Sequence, residues 1–150
     1  MNKKKTKPYK NKRRENESRF IKLPSEVKKI DMHDIINGNY PIFCFKYLSE
    51  KSIKGCTDYE FYHDFLMRLK KLSILGWDEI KRSPHHSFGM EPIPINKIKP
   101  LLPPCITPDI TKLHVFRATG NNLPFIGIQI QNIFRILFIE TQFGDIYDHH

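Results

Sequence analysis

The stretches LHVFRA (residues 113–118), NLPFIGIQIQ (122–131) and IFRILFIET (133–141) form the densest block of β-branched and aromatic residues in the chain. Such residues fit a pleated, half-buried surface, so the block predicts three strands of one sheet. Ile126, Ile128 and Ile130 alternate with Gly127, Gln129 and Gln131. That period of two assigns the isoleucines to a core face and the amides to a wet one. In the last stretch Phe134, Ile136 and Phe138 alternate with Arg135, Leu137 and Ile139. Both of its faces are mostly apolar, as in a strand covered from two sides. Gln131-Asn132 predicts a tight hairpin, and Thr119-Gly120-Asn121-Asn122 a longer turn.

Upstream, YPIFCFKYL (residues 40–48) reads as a first strand, with Pro41 near its start, where a missing donor is tolerated. Ser49 to Cys56 reads as a polar loop. Thr57-Asp58-Tyr59-Glu60 has the form of a capping box opening a helix, and Phe61, Phe65, Leu66, Leu69 and Leu72 follow at helical spacing as the side that packs on the sheet. Ser73 is placed to cap a second helix, Ile74 to about Arg82, closed by Pro84, with Trp77 and Ile80 buried. His85 to Pro108 holds six prolines and predicts a long extended connection over the surface. The order strand, two helices, Pro-rich loop, three strands makes a small antiparallel α+β domain with its helices on one face.

At 150 residues and 39% hydrophobic, the chain has the size of one domain, 20–150, preceded by a tail. Residues 1–19 are basic with almost no apolar side chain, the composition of a disordered arm. Ser25 is placed to cap a short helix ending near Ile36. The net charge of +9 suits a partner rich in phosphate or carboxylate, although the abundance of Ile, Lys and Asn is also what an AT-rich genome encodes. No apolar run reaches the roughly 20 residues that span a bilayer, and no signal-peptide core follows the basic N-terminus, so the expected location is the cytoplasm, with no membrane partner. Cys44, Cys56 and Cys105 lack metal-site spacing and read as reduced and structural.

One segment, IKRSPHHSFGMEPIP (residues 80–94), resembles the connection in YoeB-type mRNA interferases of the RelE/ParE toxin superfamily. There a helix ends in a basic pair and Pro, followed by a Gly and a Glu-Pro step. The ending Tyr147-Asp148-His149-His150 is similar to the Tyr-His-Tyr ending of that group. The resemblance covers about residues 40–150. It implies an endoribonuclease acting on mRNA, with the ribosome and a neutralising antitoxin protein as partners and no cofactor. It also implies Glu91 as general base and the terminal His and Tyr as groups acting at the scissile phosphate. Two positions depart from the family pattern. Its central arginine lies one strand later than Arg117, and His150 replaces the terminal tyrosine.

Metal-free RNA cleavage needs a base for the 2′-hydroxyl, an acid for the leaving oxygen and cations around the phosphate. Glu91 or His85 qualifies as base, and His149 or Tyr147 as acid. Lys81, Arg82 and Arg117, with His86 and His150, are the candidate phosphate contacts. A metal alternative uses His85, His86, Asp145, His149 and His150, without the HxxxH or HExxH spacing that makes such a reading specific. Two further readings compete with the enzyme. One is a non-catalytic basic RNA- or protein-binding module, the other a phage or mobile-element accessory protein whose charge is compositional.

Overall fold

A computed structural model describes residues 38–55, 58–118 and 123–149. The basic arm of residues 1–19, the helix expected after Ser25, the capping role of Thr57, Cys56 and the turn at 119–122 all lie outside the described residues. The chain is an α+β domain with a five-stranded sheet in the order β1-β5-β4-β3-β2. The strands are β1 (Ile42–Cys44), β2 (Glu91–Pro94), β3 (Lys112–Arg117), β4 (Pro124–Ile130) and β5 (Ile133–Ile139). The helices are α1 (Glu50–Lys54), α2 (Tyr59–Leu75) and α3 (Trp77–Arg82). No helix among the described residues is long and apolar enough to cross a membrane.

The last three strands pair antiparallel in chain order, as their periodicity predicts, but the sheet is mixed because β1 runs parallel to β5. β5 lies between β1 and β4, which accounts for its two apolar faces. The opposition of core isoleucines and wet amides on β4 does not hold. Phe125, Ile126 and Gly127 are all buried, and only the far half of the strand, towards Ile130, emerges from the core. A register shift between Ile126 and Gly127 pairs them with Phe138 and Ile136. The residue this skips, Leu137, packs with Phe138 on the same side, which breaks the simple alternation of β5.

One sheet face carries Phe116, Phe125, Phe134 and Ile136, covered by Phe61, Phe65, Leu69 and Leu72 of α2 and by Trp77 and Ile80 of α3. Leu66, expected on that stripe, is 67% exposed, because it lies about 100° around the helix from Phe65. The side chain of Asp58 accepts from the Glu60 amide and caps α2. Ser73 does not cap a second helix. It lies inside α2, with its hydroxyl donating back to the Leu69 carbonyl. The break falls at Gly76, at φ 81, and α3 starts from Asn39, whose carbonyl and Oδ1 accept from the amides of Trp77 and Asp78.

The other face, with Leu113, Val115, Ile126, Leu137 and Phe138, is covered by Ile95, Ile98, Leu102, Ile106 and Ile110 of the Pro-rich connection, and by Ile146 and Tyr147. That connection is therefore a layer of the fold. Four of its residues, Glu91 to Pro94, form a strand where none was expected. Two prolines are tolerated because β2 is an edge strand, paired among the described residues only with β3. The expected polar loop after Ser49 contains α1, in which Ser52 is buried and its hydroxyl accepts from the Ile139 amide. Cys44 and Cys105 are free thiols.

Candidate active site

The end of α3 delivers the chain into a tight loop. Ser83 is extended (φ −75, ψ 143), as the residue before a proline tends to be, and Pro84 O then accepts from the amides of both Ser87 and Gly89. A Cβ on Gly89 would sit 2.2 Å from the Ser83 carbonyl oxygen, so only glycine lets the two backbones approach this closely. Arg68 of α2 braces the loop by donating to the Ser87 carbonyl and lying 4.3 Å from the Phe88 ring centroid. Burial, and then the charge of Arg117, pull the Arg68 guanidinium below its ordinary pKa. The loop so held displays His85 and His86, with ring centroids 3.8 Å apart.

β2 follows at once, and its register decides what Glu91 faces. Glu91 pairs with Val115, so Arg117, two residues on, lies on the same sheet face. The Arg117 guanidinium donates to His86 Nδ1 at 2.9 Å. Because arginine can only donate, Nδ1 is the accepting atom in this contact. His85 Nε2 lies 4.0 Å from Glu91 Oε2, with both side chains about half exposed.

The third contribution comes from the chain after β5. Glu140 is fully buried. Its Oε1 accepts from the Gly144 amide (3.0 Å) and from His149 Nε2 (2.5 Å), and its Oε2 from the Ile146 amide (3.1 Å). From the outside, Lys99 donates through its amide to Ile146 O and through Nζ to Gly144 O, and pairs with Asp148 at 2.5 Å. Glu140 on the inside and Lys99 on the outside thereby hold the segment in place. It places the His149 ring between Phe143 (4.0 Å, 20°) and Tyr147 (4.1 Å, 33°). Burial first, then the negative charges of Glu140 and Glu91, push the Tyr147 phenol up to about 12, against the opposing pull of Arg117. At neutral pH it is a hydrogen-bond donor.

These three segments enclose a cleft of about 420 Å³, within the range of small-ligand sites, about 300–1,000 Å³. It is lined by His85, His86, Glu91, Arg117, Tyr147 and His149 among others. Every described residue assigned to catalysis from the sequence lies there. Lys81 and Arg82 do not. Lys81 borders a separate depression with Asn39, Trp77 and Gln129, and Arg82 sits 3.7 Å from Glu79 on the exposed side of α3. His150 lies outside the described residues. The metal alternative is not assembled as a set, since Asp145 borders another depression, and among the described residues no three His, Cys, Asp or Glu side chains form a group able to hold a metal ion.

Lys97 and Asp148 also line the cleft, and Phe143 stands at its mouth, 61% exposed. None of these, nor Glu140, was singled out from the sequence. The only hint of Glu140 was a lone carboxylate closing the apolar run IFRILFI. Comparisons with family models, with characterised proteins and with solved structures gave no match.

Proposed function

We propose that the protein is an endoribonuclease that cleaves RNA by attack of the 2′-hydroxyl on the adjacent phosphate. The observation that carries this reading is the convergence of Glu91, His85, Arg117, Tyr147 and His149, from three separate chain segments, on one cleft. Glu91, with His85 beside it, takes the 2′-hydroxyl proton as the O2′–P bond forms. Arg117 and Lys97 face the phosphate charge, and the Tyr147 hydroxyl donates to a phosphoryl oxygen. His149 gives a proton to the departing 5′-oxygen, leaving a 2′,3′-cyclic phosphate and a 5′-hydroxyl. The resemblance of residues 80–94 and of the chain end to YoeB-type toxins supports messenger RNA as the substrate. It also supports the cytoplasm and ribosome as the setting and an antitoxin protein as the partner.

The test incubates purified protein with single-stranded RNA alone, in EDTA, and separately with messenger RNA on ribosomes in magnesium buffer, and reads cleaved ends as cyclic phosphates. Wild type is expected to cut, and Glu91→Ala and His149→Ala to lose about 10²–10⁴-fold in rate while remaining folded. RNA left intact by the wild type in both settings would sink the reading. Binding that weakens stepwise as lysines are removed would then point to a module that holds RNA without cutting it.

A further inference from the structure

Glu140 stands at the end of β5 with its carboxylate wholly removed from solvent. A carboxylate in that position is tolerated only when its lone pairs are filled by donors. Two of its donors are backbone amides, of Gly144 and Ile146, in the turn that follows it. The third donor is a side chain, His149 Nε2, at 2.5 Å, and it enters the same turn from the last described residue of the chain. Phe143 on one side and Tyr147 on the other confine the ring, whose side chain is 13% exposed. With two faces covered and one nitrogen engaged, the atom left for chemistry in the cleft is Nδ1.

We propose that Glu140 is a positioning residue. It holds His149 by Nε2–H, so that the ring exchanges its working proton through Nδ1. The proposal rests on the cleft being the RNA-cleaving site described above. In that reaction the charged ring carries a proton on each nitrogen. The Nδ1 proton passes to the 5′-oxygen as the P–O5′ bond breaks, and the neutral ring that remains keeps its Nε2 proton on Glu140. A carboxylate that accepts from one imidazole nitrogen sets which tautomer the neutral ring adopts. Glu140 does not itself touch the substrate. Its burial also keeps water from competing for the Nε2 proton, which strengthens the hold.

Glu140→Gln tests this. Glutamine matches the carboxylate in shape but offers only one accepting oxygen, and its amino group donates where the carboxylate accepted. Long-range ¹H–¹⁵N NMR of the ¹⁵N-labelled full chain reports which nitrogen of neutral His149 carries the proton. Steady-state cleavage of a short single-stranded RNA separates kcat from KM. In the wild type the proton is expected on Nε2. In the variant it is expected on Nδ1, with kcat down about 10²–10⁴-fold and KM within about threefold, as for an interaction made in the transition state. A wild-type ring protonated on Nδ1 overturns the proposal whether or not the variant folds. So does a folded Glu140→Gln whose kcat stays within about twofold of wild type. If the wild type cuts no RNA, the nuclease reading fails by itself, and the proton position still upholds or overturns the hold of Glu140 on His149.

Discussion

Gly127→Ala would place a Cβ 2.0 Å from the Arg135 carbonyl oxygen and 2.8 Å from Cε1 of Phe134, both on the neighbouring strand β5. Neither neighbour can swing aside. The carbonyl belongs to the β4–β5 ladder where Ile128 pairs with Arg135, and the Phe134 ring is buried between Phe43, Phe116 and Phe125. An ordinary contact, 3.4 Å or more, requires the strands to part by about 1.4 Å, an overpacking that costs about 1–3 kcal/mol. Each ladder hydrogen bond lengthened by the movement adds about 0.5–1.5 kcal/mol. The reduced freedom of the unfolded chain returns about 0.4–1 kcal/mol. The net is a loss of about 2–4 kcal/mol, or a fall in Tm of roughly 8–15 °C for a domain of this size. Gly144→Ala is the control. It carries φ 90 with no atom of the described residues within 4 Å of the added Cβ, so backbone strain of about 1–2 kcal/mol is its expected penalty. Calorimetry or thermal circular dichroism compares the two variants. A Gly127→Ala protein that melts within about 2 °C of wild type, or no earlier than Gly144→Ala, would refute the packing argument.

The pH dependence divides between two groups. Because the Tyr147 phenol is raised from 10 to about 12, the native state keeps a proton that the unfolded chain gives up. Its contribution to stability is whole below pH 10 and is lost as pH rises towards 12. Tyr147→Phe should flatten alkaline unfolding in that window while lowering the RNA cleavage rate, and an unchanged alkaline limb would count against the buried phenol. Burial lowers the pKa of His114 below 6.5, and its Nδ1 has no hydrogen-bond partner among the described residues. Below pH 6.5 the unfolded chain therefore takes up a proton before the native state does, and stability falls with pH. His114→Gln should reduce that acid sensitivity in denaturant titrations at pH 7 and 5, and an equal loss in both proteins would place its source elsewhere. Phe143, exposed at the cleft mouth and stacked on His149, offers a face to an unpaired base. Phe143→Ala is expected to weaken single-stranded RNA binding by about 5–150-fold, the worth of one stacked base, as read by fluorescence anisotropy at fixed salt. An unchanged Kd would remove it from the binding surface.

The strands of residues 112–139 and the body of the helix of 59–75, though not its end past Ser73, were legible in the sequence because alternation and helical spacing are local properties, written within ten or so residues. The same is true of the candidate site at the level of residue type. His85, Glu91, Arg117, Tyr147 and His149 were identifiable as chemistry-bearing side chains in a loop, at a strand end and in a tail. That they share one cleft was not legible. It follows from Glu91 pairing with Val115, a register in which a slip of one residue would turn Glu91 and Arg117 to opposite faces. The strand at Glu91–Pro94 was hidden for a related reason. Proline forbids a central strand but not an edge, and edge position is a property of the whole sheet. Gly127 looked like part of a wet face until Phe134 was placed over it, and Leu66 looked like core until the sheet fixed which side of α2 faced inward. Lys81 and Arg82 looked as suited to phosphate as Lys97 does, since charge is visible in a sequence and direction is not. Glu140 marks the limit most sharply. It closes an apolar run, and the donors that make its burial tolerable are supplied only when the following segment folds back upon it.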